Sequence, residues 1–400
     1  MTLWLIVRKS LRQHALSTVI TSLSIALAAG LLMSIIAVKD QSMHAFTNVT
    51  GGFHAVMGSR GSKLSLVLFS VFHMDKAPGT LPKQDLDDIQ KNKRVIKTAV
   101  PIVVGDNFKG FRIVGTTTDF FRVEYEEGRA HEIPSPGRFF NPDSQEAVIG
   151  SHAARKLGLR IGDVFQPYHG LDYNPAEKHD TDYVVVGILT PSNTPADQVI
   201  WIPLKGLQNM PGHDSAKNTD ISAILLEFTS LTLGAQFSDQ VNKSPQTKTV
   251  AMIAPEVTSF FQRFEWLRIV LSVMAGLVAL VAGGGILASL HNTMNERRRE
   301  IAILRALGAR RGTVFGAIIL ESTAIAAIGV LIGFLFYAGF MTTAAHYIAE
   351  MAGVVINPLQ PHPVLAAAPL SIIALGALAG ILPALKAYRT DVAENLIPQS

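Results

Sequence analysis

Residues 269–290 read I-V-L-S-V-M-A-G-L-V-A-L-V-A-G-G-G-I-L-A-S-L, twenty-two positions without a charge. At 1.5 Å per residue a helix of that length covers about 33 Å, enough to cross a hydrocarbon core of roughly 30 Å. Directly beyond it, residues 295–311 read N-E-R-R-R-E-I-A-I-L-R-A-L-G-A-R-R. Arginine crowded against the end of an apolar run marks the cytoplasmic side of a membrane. Three more blocks share the apolar character: 15–38 and 364–385 carry no charge, and 313–337 is interrupted once, by Glu321. The sequence therefore predicts four transmembrane helices, at 15–38, 269–290, 313–337 and 364–385.

Composition agrees. Hydrophobic residues make up 48% of the 400 positions and charged residues 16%, against about 25% charged in soluble domains. Disorder, a collagen-like repeat and a coiled coil are excluded. With no cysteine, a disulfide framework, a thiolate metal site and a Cys nucleophile are excluded too. The net charge of +4 matters less than its placement. Arg8, Lys9 and Arg12 lie in the arm 1–14, six arginines lie in 291–312, and Lys386 and Arg389 begin the tail 386–400, whereas the connection 338–363 has neither Lys nor Arg. Both termini and 291–312 are thus expected in the cytoplasm, with 39–268 and 338–363 outside. That bias accounts for the basic residues without nucleic acid. The block 15–38 could also be a signal peptide, since Ala26-Leu27-Ala28 imitates a cleavage site, but its apolar run continues ten residues further, and retention is expected.

The outside segment 39–268 reads as an α+β domain inserted between the first and second spans. Apolar runs at 100–104, 111–114, 147–149, 183–189, 199–202 and 221–228 predict strands, and Gly105-Asp106-Asn107, Gly115 and Pro191-Ser192-Asn193 read as turns between them. Residues 84–93 and 151–157 predict short helices, the second stopped by Gly158. Residues 64–72 are apolar but too short to span, and 168–182 and 238–248 read as polar loops.

No G-x-x-x-x-G-K-[ST], H-E-x-x-H or G-x-S-x-G is present, so the chain offers no ATPase or hydrolase constellation and no catalytic residue. What remains is positional. Ile301, Leu304 and Gly308 share one helical face with Ile303 and Leu307 beside it, which predicts a short amphipathic helix at the cytoplasmic surface. It serves equally as an anchor on anionic lipid or as a docking helix. Glu321 lies about 12 Å along the third span, where a carboxylate is expected to face the bundle interior and lock helix packing through a Ser, Thr or backbone group, the alternatives being reach to the cytoplasmic interface and proton transfer. Gly329 with Gly333, and Gly376 with Gly380, form G-x-x-x-G pairs that permit close helix approach, including a homodimer seam. On the loop 168–182, His169, His179, Asp180 and Asp182, with Asp172 and Glu177 nearby, could hold Zn²⁺ or stand merely solvated. His54, Met57, His73 and Met74 form a second, softer group.

The stretch from Glu296 through Ala309 closely resembles the E-R-x-x-E-I-[GA]-[IL]-x-[RK]-[AT]-[LVI]-G-A signature of FtsX-like permeases, the macrolide-exporter and lipoprotein-releasing type of ABC transporter, and Glu321 stands where that family keeps an intramembrane acid. The resemblance implies a MacB-like periplasmic domain, two permease copies and two copies of a separate ATPase subunit carrying ATP and Mg²⁺, all at the bacterial inner membrane. It implies that Glu296, Arg297, Arg299, Glu300, Ile301, Leu304, Arg305, Leu307 and Gly308 belong to a coupling helix against that ATPase. It further implies mechanotransmission, with substrate exported or released on the outer side. The alternatives are a regulatory permease driving a periplasmic or lipoprotein partner, and a zinc-linked receptor.

Overall fold

The structure, a computed structural model, describes residues 3–389 apart from 49, 211–219, 246, 307, 353–355 and 358–359. At 44, 45, 47, 48, 282, 289–304, 351, 352 and 389 it describes the backbone alone. Two units emerge. One comprises residues 1–41, 264–345 and 357–400 and is helical; the other comprises 42–263 and 346–356 and is built on a sheet.

The helical unit opens with α1 (Leu3–Gln13) and α2 (Ala15–Asn48), whose last turns pass into the sheet unit. It resumes with α9 (Glu265–Ala306), α10 (Arg311–Ala352), α11 (Val364–Ala379) and α12 (Ile381–Arg389). Among the described residues four stretches are long and apolar enough to cross a membrane: Ala15–Met43, Glu265–Ala288, Arg311–Glu350 and Val364–Tyr388. The helices outrun the apolar blocks. α9 and α10 each run 42 residues, about 63 Å, because their polar ends continue the helix. The expected separate amphipathic helix is thereby corrected: its backbone is the end of α9. The last block is split, α11 ending at Gly380, since Pro383 in the first turn of α12 has no N–H to bond back into α11.

The sheet unit contains β1 (Ala55–Ser59), α3 (Lys63–Ser70), α4 (Lys83–Lys91), β2 (Ile96–Phe108), β3 (Phe111–Thr116), β4 (Glu146–Ile149), α5 (Ser151–Leu157) and β5 (Val164–Phe165). It continues with β6 (Tyr168–His169), β7 (Tyr183–Ile188), β8 (Ile200–Pro203), α6 (Leu204–Gln208), β9 (Ala223–Phe228), α7 (Leu231–Lys243), β10 (Lys248–Met252) and α8 (Ile253–Arg263). The strands form one ten-stranded sheet, ordered β10-β1-β9-β2-β3-β8-β4-β7-β5, with β6 joined to β2. Most neighbours are antiparallel; β3–β8 and β4–β7 are parallel.

Side chains alternate across the sheet with period two. Val114, Val148, Trp201 and Leu225 enter one buried cluster, around Phe120 and Phe121. Their neighbours Ile113, Ile149, Ile200 and Ile202 enter a second, and Ile224 and Leu226 a third. Both faces are covered, which is why β9 is apolar along most of its length.

Two expectations change here. Gly105-Asp106-Asn107 is not a turn: β2 runs through it with a bulge between Val104 and Asp106, and the hairpin reverses at Lys109-Gly110, both at positive φ, the pair a tight primed turn requires. Nor is 238–248 a loop. α7 continues to Lys243, because Phe237 and Val241 pack four residues apart into the core and Ser238 bonds the Val250 carbonyl.

Candidate functional site

Three places carry chemistry. The first is the reversal between α9 and α10. Gly308 adopts φ +100°, a conformation only glycine takes without strain, and its N–H donates to the Arg305 carbonyl at 3.0 Å. Thr313 N donates to Arg310 at 2.9 Å, opening α10, and the Arg311 guanidinium lies 5.7 Å from the Tyr388 ring. Glu296, Arg297, Arg299, Glu300, Ile301 and Leu304 follow the α9 backbone; their side chains, and Leu307 entirely, lie outside the described residues.

The second is the interior of the helical unit. Glu321 on α10 is buried and accepts a hydrogen bond from the Ser10 hydroxyl of α1, also buried. α1 is amphipathic, with Val7 and Ser10 buried and Trp4 and Leu5 exposed. Arg8, Lys9 and Arg12, expected in a cytoplasmic arm, lie on this helix. Beside Glu321 the glycines set the helix spacing. A Cβ at Gly329 would lie 2.6 Å from Ile25 Cβ, and one at Gly333 would lie 2.9 Å from Ala29 Cβ, so both face α2 of the same chain. Gly376 faces Ala326 and Gly380 faces Ser322, both on α10. The expectation of a homodimer seam at these glycines is corrected: their bare faces are occupied within one chain.

The third lies on the sheet. β6 pairs with β2 so that His169 stands opposite Asp106 and Tyr168 opposite Asn107. His169 Nδ1 is 3.6 Å and His179 Nε2 3.4 Å from Asp106 Oδ1. The three ligand atoms all fall within 4.8 Å of one another. Asp106 is fully buried, the His179 side chain is 7% exposed and that of His169 48%. The loop is pinned by backbone: His169 N donates to Glu177 O, His179 N to Pro167 O, and the Asn107 amide to the Gly170 and Asp172 carbonyls. The structure thus unites two of the four expected metal residues with an unexpected third. Asp182 instead accepts from Gln166, and Asp180 is exposed. No local signal marked Asp106, since it sits 63 residues from His169 and reads as turn chemistry. Burial and the Asp106 charge raise the Tyr183 hydroxyl pKa nearby.

Of the softer group, Met57 and Met74 enter different core clusters. His54 Nδ1 accepts from Phe228 N at 2.9 Å, and His73 packs edge-on to Trp201. His131 is buried against Phe120 and Tyr125, and among the described residues neither of its ring nitrogens has a partner.

Comparison with known proteins bears on the family. Residues 18–244 match the family described as MacB-like periplasmic core domain, and residues 272–392 match FtsX-like permease C-terminal. The macrolide export ATP-binding/permease protein MacB of Brucella abortus is 25% identical over 95% of this chain and 58% of its own length. An uncharacterized ABC transporter permease of Bacillus subtilis, YvrN, is 26% identical over 70% of this chain and 67% of its own. A second from that organism, YknZ, is 32% identical over 32% of the chain and 30% of its own length. The chain spans little more than half of the macrolide export relative. With one family match covering more than half of its residues and the other covering its later apolar helices, the chain belongs to the MacB- and FtsX-like permeases of ABC transporters.

Proposed function

We propose that this permease couples ATP binding and hydrolysis on a separate ATPase subunit to movement of its sheet unit at the outer side of a bacterial inner membrane, for export or release of a substrate there. The observation that carries the reading is the continuity of α10. It starts at the arginine-rich reversal and ends in the sheet unit, to which residues 346–356 belong. There Gln198 Nε2 donates to the Ala349 and Glu350 carbonyls at 2.7 and 3.0 Å, and Lys156 pairs with the Glu350 carboxylate. In this reading the unbroken helix, about 63 Å long, carries a displacement of the reversal to its far end.

In this reading the reversal, with Glu296, Arg297, Arg299, Glu300 and Arg305 as polar contacts, docks on the ATPase, and ATP with Mg²⁺ is held by that subunit. The apolar character of the four candidate spans favours a mechanical stroke over a hydrophilic channel. Two permease copies would pair with two ATPase copies, through faces other than the glycine seams. Both termini and the reversal lie in the cytoplasm.

Purification in gentle detergent from the native host, with mass spectrometry of co-purifying subunits and an ATPase assay, tests the proposal. Wild type is expected to bring down an ATPase that a Glu300→Arg, Arg305→Glu double variant loses. Equal recovery with both would remove the reversal as the docking site, and recovery with neither would remove the coupling role.

A further inference from the structure

We propose that Asp106, His169 and His179 form a site for a divalent transition-metal cation of the Zn²⁺ type, three-liganded by protein and open to solvent at a fourth position. The argument is independent of the coupling role and begins with spacing. A tetrahedral Zn²⁺ with ligand bonds of roughly 2.0–2.2 Å separates its ligand atoms by about 3.4 Å. The separations from Asp106 Oδ1 to the two imidazole nitrogens are 3.4 and 3.6 Å, beyond the roughly 2.7–3.2 Å of an ordinary N–H···O bond. Asp106 is therefore spaced from each imidazole as one ligand of an ion is from the next, and the two imidazole nitrogens lie within 4.8 Å of each other.

Their chemistry selects the ion class. Two neutral imidazoles and one carboxylate suit borderline divalent metals, whereas Mg²⁺ and Ca²⁺ take oxygen ligands.

The site is also built rather than adventitious. The bulge between Val104 and Asp106 shifts the register of β2 there, and bulges of this kind re-aim a side chain. The loop bearing both histidines is closed by the isolated bridge between Tyr168 and Lys178 and clamped to β2 through Asn107. This fixes the backbone of all three ligands. The His169 side chain is half exposed, which leaves an approach from solvent for the cation.

The test uses the full chain in detergent, its purification tag removed and its metal stripped by chelator, titrated with Zn²⁺ in a calorimeter. One saturable equivalent per chain is expected. His169→Ala and His179→Ala should each weaken binding by more than about 100-fold, since even residues behind the ligands cost 10–100-fold. His169→Asp should retain binding within about tenfold of wild type, which separates ligand loss from misfolding. His346→Ala, on the exposed end of α10, should bind like wild type, and Mg²⁺ should not compete. The proposal is overturned if wild type shows no saturable equivalent, if either alanine variant loses less than tenfold, or if His169→Asp is as weak as His169→Ala while the circular dichroism of both matches wild type.

Discussion

The Ser10 hydroxyl of α1 donates its hydrogen bond to the Glu321 carboxylate of α10, joining residues 311 positions apart. The bond places the amphipathic first helix against the one acidic residue of an otherwise apolar stretch. Neither partner is exposed, so water does not readily replace the donor if Ser10 is removed.

Ser10→Ala is expected to destabilise the helical unit by about 0.6–1.7 kcal/mol, the span measured for hydrogen bonds between membrane helices. Glu321→Leu should cost more than Glu321→Gln, because the amide keeps an oxygen for the Ser10 hydroxyl. Unfolding midpoints in a denaturing-detergent titration check the order; equal midpoints for all three variants would show that the bond carries no net stability.

The glycine seams make a sharper contrast. Gly329→Ala brings a methyl to 2.6 Å from Ile25 Cβ, and overpacking of that kind costs about 1–3 kcal/mol. Nothing lies within 4 Å of a Cβ at Gly284 or Gly285, so alanine there should be tolerated. A thermal melt in detergent should show Gly329→Ala well below both.

Acid should weaken the sheet unit through its buried histidines. Burial holds His131 down to about 4 and His73 to about 3, the latter aided by the Arg112 charge. Between those values and the ordinary 6.5 the unfolded chain binds protons that the folded chain does not, so stability rises with pH across that window. It is fully present above about pH 6.5 and falls as pH drops toward 4 and then 3. His131→Phe, fitting among Phe120, Phe121 and Tyr125, should flatten the upper part of the slope. Melting temperatures of both proteins from pH 7 to 4 decide this; parallel curves would count against it.

At the far end of α10 the two contacts should differ in worth. The pair between Lys156 and Glu350 is exposed on both sides, and such pairs contribute about 0–1 kcal/mol. Gln198 satisfies two of the last four carbonyls of α10, which have no partner within the helix. Gln198→Ala should therefore lower ATP-dependent coupling and stability more than Lys156→Ala does, and raised salt should abolish the effect of Lys156→Ala alone. The reverse ranking would place the connection elsewhere.

Much of this architecture was legible in the sequence because uncharged length is a one-dimensional property. The runs at 15–38, 313–337 and 364–385 fall within candidate spans, and 269–290 does so except for its last two residues. Helix ends were not legible, since a helix that leaves an apolar layer keeps its hydrogen bonds while its side chains turn polar. α9 and α10 were accordingly read short, and α1 was not seen. Strands rich in Val and Ile were found; β1, A-V-M-G-S, and β10, K-T-V-A-M, were passed over because five mixed residues carry little periodic signal. The histidines could be flagged by their density on one loop. Asp106 could not, because only the pairing of β6 with β2 brings it to them.

Synthesis meets this architecture in an awkward order. Ile25 must wait for Gly329, and Ser10 for Glu321, so the earliest helix leaves the ribosome about 300 residues before its seam partner exists. At about 5–20 residues per second that delay is about 15–60 s. β1 is in the same position, since both of its neighbours, β9 and β10, come from the far end of the sheet unit. Until they arrive, the nascent chain holds a small-residue helix face and an unpaired strand with nothing of its own to cover them, and its biogenesis depends on what shelters both for that interval.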